Sequence, residues 1–232
     1  MKNKQIFSPH FNDRALPIDA VIIHYTDMSS AAEAARWLCD PASNVSAHYL
    51  IDEAGGILQL VPEDKRAWHA GASYWQGCTD INSCSIGIEL ANPGHTHGYC
   101  AFPEGQITAL LNLLKDIRTR WDIPSARILG HSDVAPRRKQ DPGHLFPWDI
   151  LAREGLGLWA DKVSSLHHRA TPRDEGTLIT DLNKIGYETH SLLHALLAFQ
   201  RHFQPHKVDG VADHETLSLI QDLRGLKDRT GV

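Results

Sequence analysis

No stretch of this 232-residue chain approaches the roughly 18 consecutive apolar residues that a membrane-spanning helix needs. Lys2 and Lys4 resemble the basic start of a secretory leader, but Pro9, His10, Asn12 and Asp13 stand where its apolar segment would lie. A cytoplasmic location is expected on that ground, the alternative being a periplasmic protein whose leader has been removed. Excess positive charge is lacking as well. The net charge is −5 and the pI is near 6.3, so neither a nucleic-acid nor an anionic-lipid footprint is present. Cysteine is scarce: Cys39, Cys78, Cys84 and Cys100 show no CxxC spacing. Cys78 and Cys84 could close a small loop in an oxidising compartment and would be reduced thiols in the cytoplasm. Several catalytic signatures are missing. His214-Glu215 is not followed by a second histidine at HExxH spacing, and there is no Gly-x-Ser-x-Gly elbow or phosphate loop. With 42% hydrophobic and 22% charged residues, disorder of the bulk is excluded.

What remains is an interleaved pattern of short strands and helices. Ala20-Val-Ile-Ile-His-Tyr25 is a short apolar run suited to a strand buried on both faces. Residues 29–39 are alanine-rich behind a serine cap and predict a helix. Ala47–Asp52 and Ile57–Val61 flank Glu53-Ala-Gly-Gly56 and predict a hairpin. Ser85–Leu90 and Arg127–Gly130 are further short strands. Ile107, Leu110, Leu111, Leu114, Ile117 and Trp121 fall at three-and-four spacing, predicting an amphipathic helix over 104–121. The fold class expected is α/β, a mixed central sheet flanked by helices. Residues 161–175 are polar, aperiodic and proline-containing, and predict a linker. Helical patterns at Thr177–Ile185, Ser191–Phe203 and His214–Leu223 then predict a small three-helix C-terminal domain. The domain division is therefore 1–160, a linker over 161–175, and 176–232. A unit this small is near the limit of independent stability, so docking on the first domain is expected.

Histidine is abundant, at 15 residues, and is the commonest metal ligand. His24, His131 and Asp141 fall where short strands give way to loops. Two imidazoles and one carboxylate are a donor set for catalytic zinc, which keeps a fourth position open for water. His131 and Asp141 are ten positions apart across a proline-containing loop that could fold both onto one ion, and Pro142-Gly143 forces a turn after the aspartate. On spacing alone, a solvated loop with an ordinary surface histidine is the plainer reading, because isolated His and Asp pairs are common.

Five segments in order carry a resemblance: His24-Tyr-Thr26, Ser46-Ala-His-Tyr-Leu-Ile-Asp52, Ala67-Trp-His-Ala-Gly71, Ser85-Ile-Gly-Ile-Glu-Leu90, and Gly130-His-Ser-Asp133 through Lys139-Gln-Asp-Pro-Gly143. Together, over residues 18–159, they resemble the zinc-dependent N-acetylmuramoyl-L-alanine amidases, whose superfamily includes the peptidoglycan recognition proteins. The nearest branch is the bacterial one acting on anhydromuropeptides or murein. The resemblance implies a Zn2+ ion on His24, His131 and Asp141, a peptidoglycan or anhydromuropeptide substrate, and catalytic roles for Glu89 and Lys139. The chemistry agrees with those roles. A carboxylate among Ile86, Ile88 and Leu90 is expensive without a partner or a task, and one carboxylate can serve as base and then acid in amide hydrolysis. Lys139, two residues before a ligand, could stabilise an oxyanion, although Arg137 and Arg138 beside it also fit a basic surface loop.

One departure stands out. Phage and animal members carry a tyrosine before the histidine of the second segment, where this chain has Ala47, so the role passes to Glu89 and His48 becomes a packing residue. Trp68 and His69 are candidate cleft residues, suited to a sugar ring or peptide. His95-Thr-His97 and His167-His168 are expected to face solvent. The C-terminal segment, with Phe199-Gln200 and Asp209-Gly210, resembles a three-helix peptidoglycan-binding module; a structural cap on the cleft is the other reading. At the level of function, the alternatives are a non-catalytic peptidoglycan-binding protein on the same fold and a zinc hydrolase of another amide.

Overall fold

A computed structural model describes residues 7–160 and 174–230. Most of the expected linker and His167-His168 lie outside the described residues. In chain order the strands are β1 (Phe11–Asp13), β2 (Ala20–Tyr25), β3 (Tyr49–Ile51), β4 (Ile57–Gln59), β5 (Lys65–Ala67), β6 (Ser85–Leu90) and β7 (Ile128–Gly130). The helices are α1 (Ala31–Leu38), α2 (Ile81–Cys84), α3 (Gly94–His97), α4 (Glu104–Arg120), α5 (His131–Val134), α6 (Trp148–Arg153), α7 (Glu175–Ile185), α8 (Leu192–Phe203) and α9 (His214–Thr230). No described helix is long and apolar enough to cross a membrane.

Five strands form one mixed sheet in the order β4-β3-β6-β2-β7. β3, β6, β2 and β7 run parallel, and the edge strand β4 pairs antiparallel with β3 through the expected hairpin. Alternation along each strand divides the core between the two faces. Val21, Ile23, Ile86, Ile88, Leu90 and Ile128 point to one side, where Ile107, Leu110, Leu114 and Ile117 of α4 cover them. Ile22 and Leu129 point to the other, where they join Leu182, Phe199, Ile220 and Leu223 of α7, α8 and α9. Each such side chain is fully or nearly fully buried, contributing on the order of 2 kcal/mol. The C-terminal helices thus complete the second face of the sheet.

Local signals account for the element ends. Ser30 caps α1, accepting from the Glu33 amide at 3.2 Å, a contact worth about 1 kcal/mol. Asp174 caps α7 through Thr177 in the same manner. Helix α9 runs seven residues beyond the expected Leu223. A two-stranded ribbon, β1 with β5, escapes sequence reading because each strand has three residues and no apolar alternation. It is nonetheless placed to matter, since β5 leads directly into Trp68. Cys78 and Cys84 are free thiols with their sulfurs 3.9 Å apart.

Candidate active site

His24 and Glu89 sit on adjacent parallel strands in direct register, at the carboxyl ends of β2 and β6. His131 is the first residue after β7, on the other flank of β2. Open α/β sheets bind ligands at this edge, because successive strands deliver their ends to one crevice. Asp141 returns to it from the loop after α5, held by a 2.8 Å bond from the Ser132 amide to its carbonyl. Gly130 allows that return: a Cβ there would meet Pro142 Cδ at 2.7 Å. The same edge therefore gathers residues from four segments of the chain.

The three expected ligands converge. His24 Nδ1 lies 2.9 Å from His131 Nδ1, and each lies 3.0 Å from Asp141 Oδ2. All three residues are buried, and among the described residues this is the one His/Cys/Asp/Glu group with metal-binding geometry. A tetrahedral ion with bonds near 2.0–2.1 Å separates its donors by about 3.3 Å, so these need open only by a few tenths of an ångström.

The outer hydrogen bonds of both rings agree with that fit. His131 Nε2 meets the Ala70 carbonyl at 3.1 Å, which can only accept, so the ring proton is on Nε2 and Nδ1 presents a lone pair. A second chain fixes His24. The Ser85 hydroxyl donates to the Ile81 carbonyl and accepts from His69 Nε2 at 3.3 Å; His69 Nδ1 then accepts from His24 Nε2 at 3.1 Å. His24 Nδ1 is left without a proton. Two imidazole lone pairs and a carboxylate oxygen thus face one another across about 3 Å, an arrangement that calls for a cation at its centre. Both rings also have the outer partner that metal-bound histidines nearly always have.

Electrostatics follow from burial. It lowers the His24 pKa to about 4, with the neighbouring His131 charge adding to the effect. Burial would raise the Asp141 carboxyl, but His131 and His24 outweigh it and hold the group well below the usual carboxylate range. Burial, assisted by the Asp141 charge and opposed by Lys139, pushes Glu89 well above the ordinary glutamate value. Glu89 Oε2 is buried without a hydrogen-bond partner, while the residue lines the cleft.

The cleft has a volume of about 380 Å3. The three donors, Glu89 and Lys139 all line it. Trp68 also lines it, with its indole N–H donating to Asn12 Oδ1 of β1 at 2.9 Å. His69 reaches the cleft but is engaged with His24, so it chiefly braces that ring. Gly87 makes room for it, since a Cβ there would collide with the His69 ring. His48 is fully buried, accepts from the Gly87 amide at 2.9 Å and takes no part in the donor set.

Sequence reading missed several contributors. Trp37 and Met28 add apolar lining, and Arg138 buttresses the loop at Ala70 and Ala72 while lining the cleft. His95 was expected to face solvent; it is exposed but stands at the rim, where Tyr25 Oη meets its Nδ1 at 2.7 Å. No spacing rule links Tyr25 to His95 across 70 positions.

Burial of the histidines sets an acid limit on the metal-free protein. Burial first, then nearby charge, lowers His24 to about 4 and His48 to about 3, and pushes His69 well below its ordinary value. A histidine with a depressed folded-state pKa contributes stability above its unfolded value, near 6.5, and loses it as pH falls through the window down to the folded value. Glu89 works oppositely, so the histidine effect is read in the Glu89→Gln variant, where the carboxyl is absent. The melting temperature of the chelated Glu89→Gln protein is therefore expected to fall as the pH drops from 6.5 to 4. An unchanged melting temperature across that window would contradict the burial of neutral histidines.

Two imidazoles, a carboxylate and an unpaired glutamate at the carboxyl edge of a parallel sheet are the parts of a metal-assisted hydrolase. Residues 14–144 match the family described as N-acetylmuramoyl-L-alanine amidase, and the chain belongs to that family. It is 38% identical over 229 residues to the N-acetylmuramoyl-L-alanine amidase AmiD of Escherichia coli (strain K12), covering 89% of this chain and 82% of the relative. A solved complex of E. coli AmiD with anhydro-N-acetylmuramic acid-L-Ala-D-gamma-Glu-L-Lys matches with a TM-score of 0.82, 37% identity, and coverage of 95% of this chain and 93% of that one. AmpDh3 of Pseudomonas aeruginosa, solved with anhydromuramic pentapeptide, matches with a TM-score of 0.82 and 31% identity over 97% of each chain. The α/β fold with its C-terminal helices is thereby shared with these amidases.

Proposed function

We propose that the chain is a zinc-dependent amidase that hydrolyses the bond between N-acetylmuramic or 1,6-anhydro-N-acetylmuramic acid and the L-alanine of the stem peptide. The observation that carries this reading is the convergence of three donor atoms beside a glutamate whose buried Oε2 has no hydrogen-bond partner. His24, His131 and Asp141 would hold the ion. Bound there, zinc supplies a Lewis acid that polarises the scissile carbonyl and makes water acidic enough to attack near neutrality.

The chain's own residues supply the rest. Glu89 Oε2 takes a proton from the attacking water and passes it to the departing alanine nitrogen, so one carboxyl is base and then acid. Burial pushes its pKa upward, which favours holding the proton between the two steps. The Lys139 ammonium faces the negative charge that grows on the carbonyl oxygen. Trp68 offers an indole face to the sugar or peptide, and Trp37 and Met28 add apolar surface to the same cleft. His69 and Ala70 keep the two histidine ligands in the tautomer that leaves Nδ1 free.

Mass spectrometry of products tests the reading, with soluble anhydromuropeptide and intact murein each offered to zinc-loaded and chelated protein. Stem peptides beginning with free L-alanine are expected from the loaded protein alone, and the preferred substrate distinguishes muropeptide turnover from wall cleavage. Zinc-independent release, or release of sugars without peptides, would overturn the assignment.

A further inference from the structure

Asp133 is among the most buried carboxylates of the molecule, at 1% exposure, two residues after His131 on the single turn α5. Both oxygens are occupied. Oδ2 accepts from the Gly130 amide at 2.7 Å and from His202 Nδ1 at 2.8 Å, while Oδ1 accepts from the Tyr187 hydroxyl at 2.7 Å. The first bond ties Asp133 across its own turn and fixes the backbone on either side of His131. The other two come from the C-terminal helical unit: Tyr187 follows α7 and His202 lies on α8.

Both donors are rigidly seated. Tyr187 is fully buried and packs edge-on against Trp75 at 5.0 Å between centroids. His202 is stacked between Trp148, at 3.8 Å, and Phe203, at 4.0 Å, with near-parallel rings. A four-residue helix has too few internal hydrogen bonds to hold its shape alone. Its geometry depends on what is packed and bonded to it.

We infer that Tyr187 and His202 are positioning residues for the metal centre: by clamping Asp133 they fix α5, and with it the direction of His131 Nδ1. The C-terminal unit is on this account an integral buttress of the catalytic site, whatever glycan it also contacts. The inference rests on the zinc reading above. It explains why a hydrogen-bonded polar pair is buried at this junction. An apolar pair would fill the same space, but would leave the Gly130 amide and the α5 turn without a directional anchor.

Zinc affinity, measured by competition with a chromophoric chelator at a temperature where every variant is folded, separates positioning from bulk stability. His202→Leu keeps apolar packing and removes the donor. Tyr187→Phe removes only a hydroxyl. His202→Asn keeps a donor where Nδ1 stands but loses most of the ring stack. A fall in affinity of roughly tenfold is expected for His202→Leu and Tyr187→Phe, the lower end of what loss of an outer partner of a metal ligand costs. His202→Asn should melt at a lower temperature yet bind zinc within about threefold of the natural protein, on the same scale. Affinity that follows melting temperature across all three variants would mean a purely structural role and overturn the inference. Failure of the natural protein to bind zinc would instead remove the metal reading on which the inference stands.

Discussion

Glu89→Gln is expected to lower turnover by about a thousandfold, within the 10²–10⁴ range that one general acid–base group supplies, while the protein keeps its zinc. The amide preserves the shape of the side chain but can neither take nor release the proton. Glu89 lies opposite His24 in the β2–β6 register, outside the donor triangle, so metal binding should survive. The same substitution has an opposite consequence for stability. A carboxyl whose folded pKa is raised contributes fully below its unfolded value, and that contribution is lost as pH rises through the folded value. At pH 7.5 the chelated natural protein carries this penalty and the glutamine variant does not. The variant should therefore melt higher in the absence of metal while being nearly inactive in its presence. Near-normal turnover would remove Glu89 as the proton carrier, and loss of zinc would make it a ligand.

Asp141→Ala should abolish both metal retention and turnover. Losing a direct donor costs more than the roughly 10–100-fold associated with an outer partner, and leaves two imidazoles with no anionic ligand. The loop should stay in place, because the bond from the Ser132 amide runs to the Asp141 backbone carbonyl and survives the change. Full zinc occupancy of the alanine variant, measured by elemental analysis after dialysis, would take Asp141 out of the ligand set.

The parts of this account that were legible in the sequence are those with a local cause. The run from Ala20 to Tyr25 is apolar because both faces of β2 are covered, and α4 declares itself through Ile107, Leu110, Leu114 and Ile117. His24 and His131 could be chosen as candidates because each stands at the end of a short strand, Asp141 because Pro142-Gly143 forces a turn after it, and five motifs in order supported the choice. What could not be read depends on tertiary approach. The β1–β5 ribbon is too short and polar for a periodic signal, yet Asn12 within it holds the Trp68 indole. His69 could be picked as a cleft residue from its tryptophan neighbour, whereas its hydrogen bond to His24 appears only once β6 carries Gly87 beneath it. The C-terminal helices showed their apolar positions, but the polar contacts from Tyr187 and His202 to Asp133 join segments 54 and 69 residues apart.

Zinc titration of chelated protein, with release of free-amino L-alanine peptides from a soluble anhydromuropeptide as the signal, tests the central claim most directly. Activity should rise in proportion to added zinc and level off at one equivalent per chain. Full peptide release from metal-free protein, or one bound zinc with no release from either muropeptide or murein, would contradict it; the second outcome would point instead to a peptidoglycan-binding protein on an amidase fold.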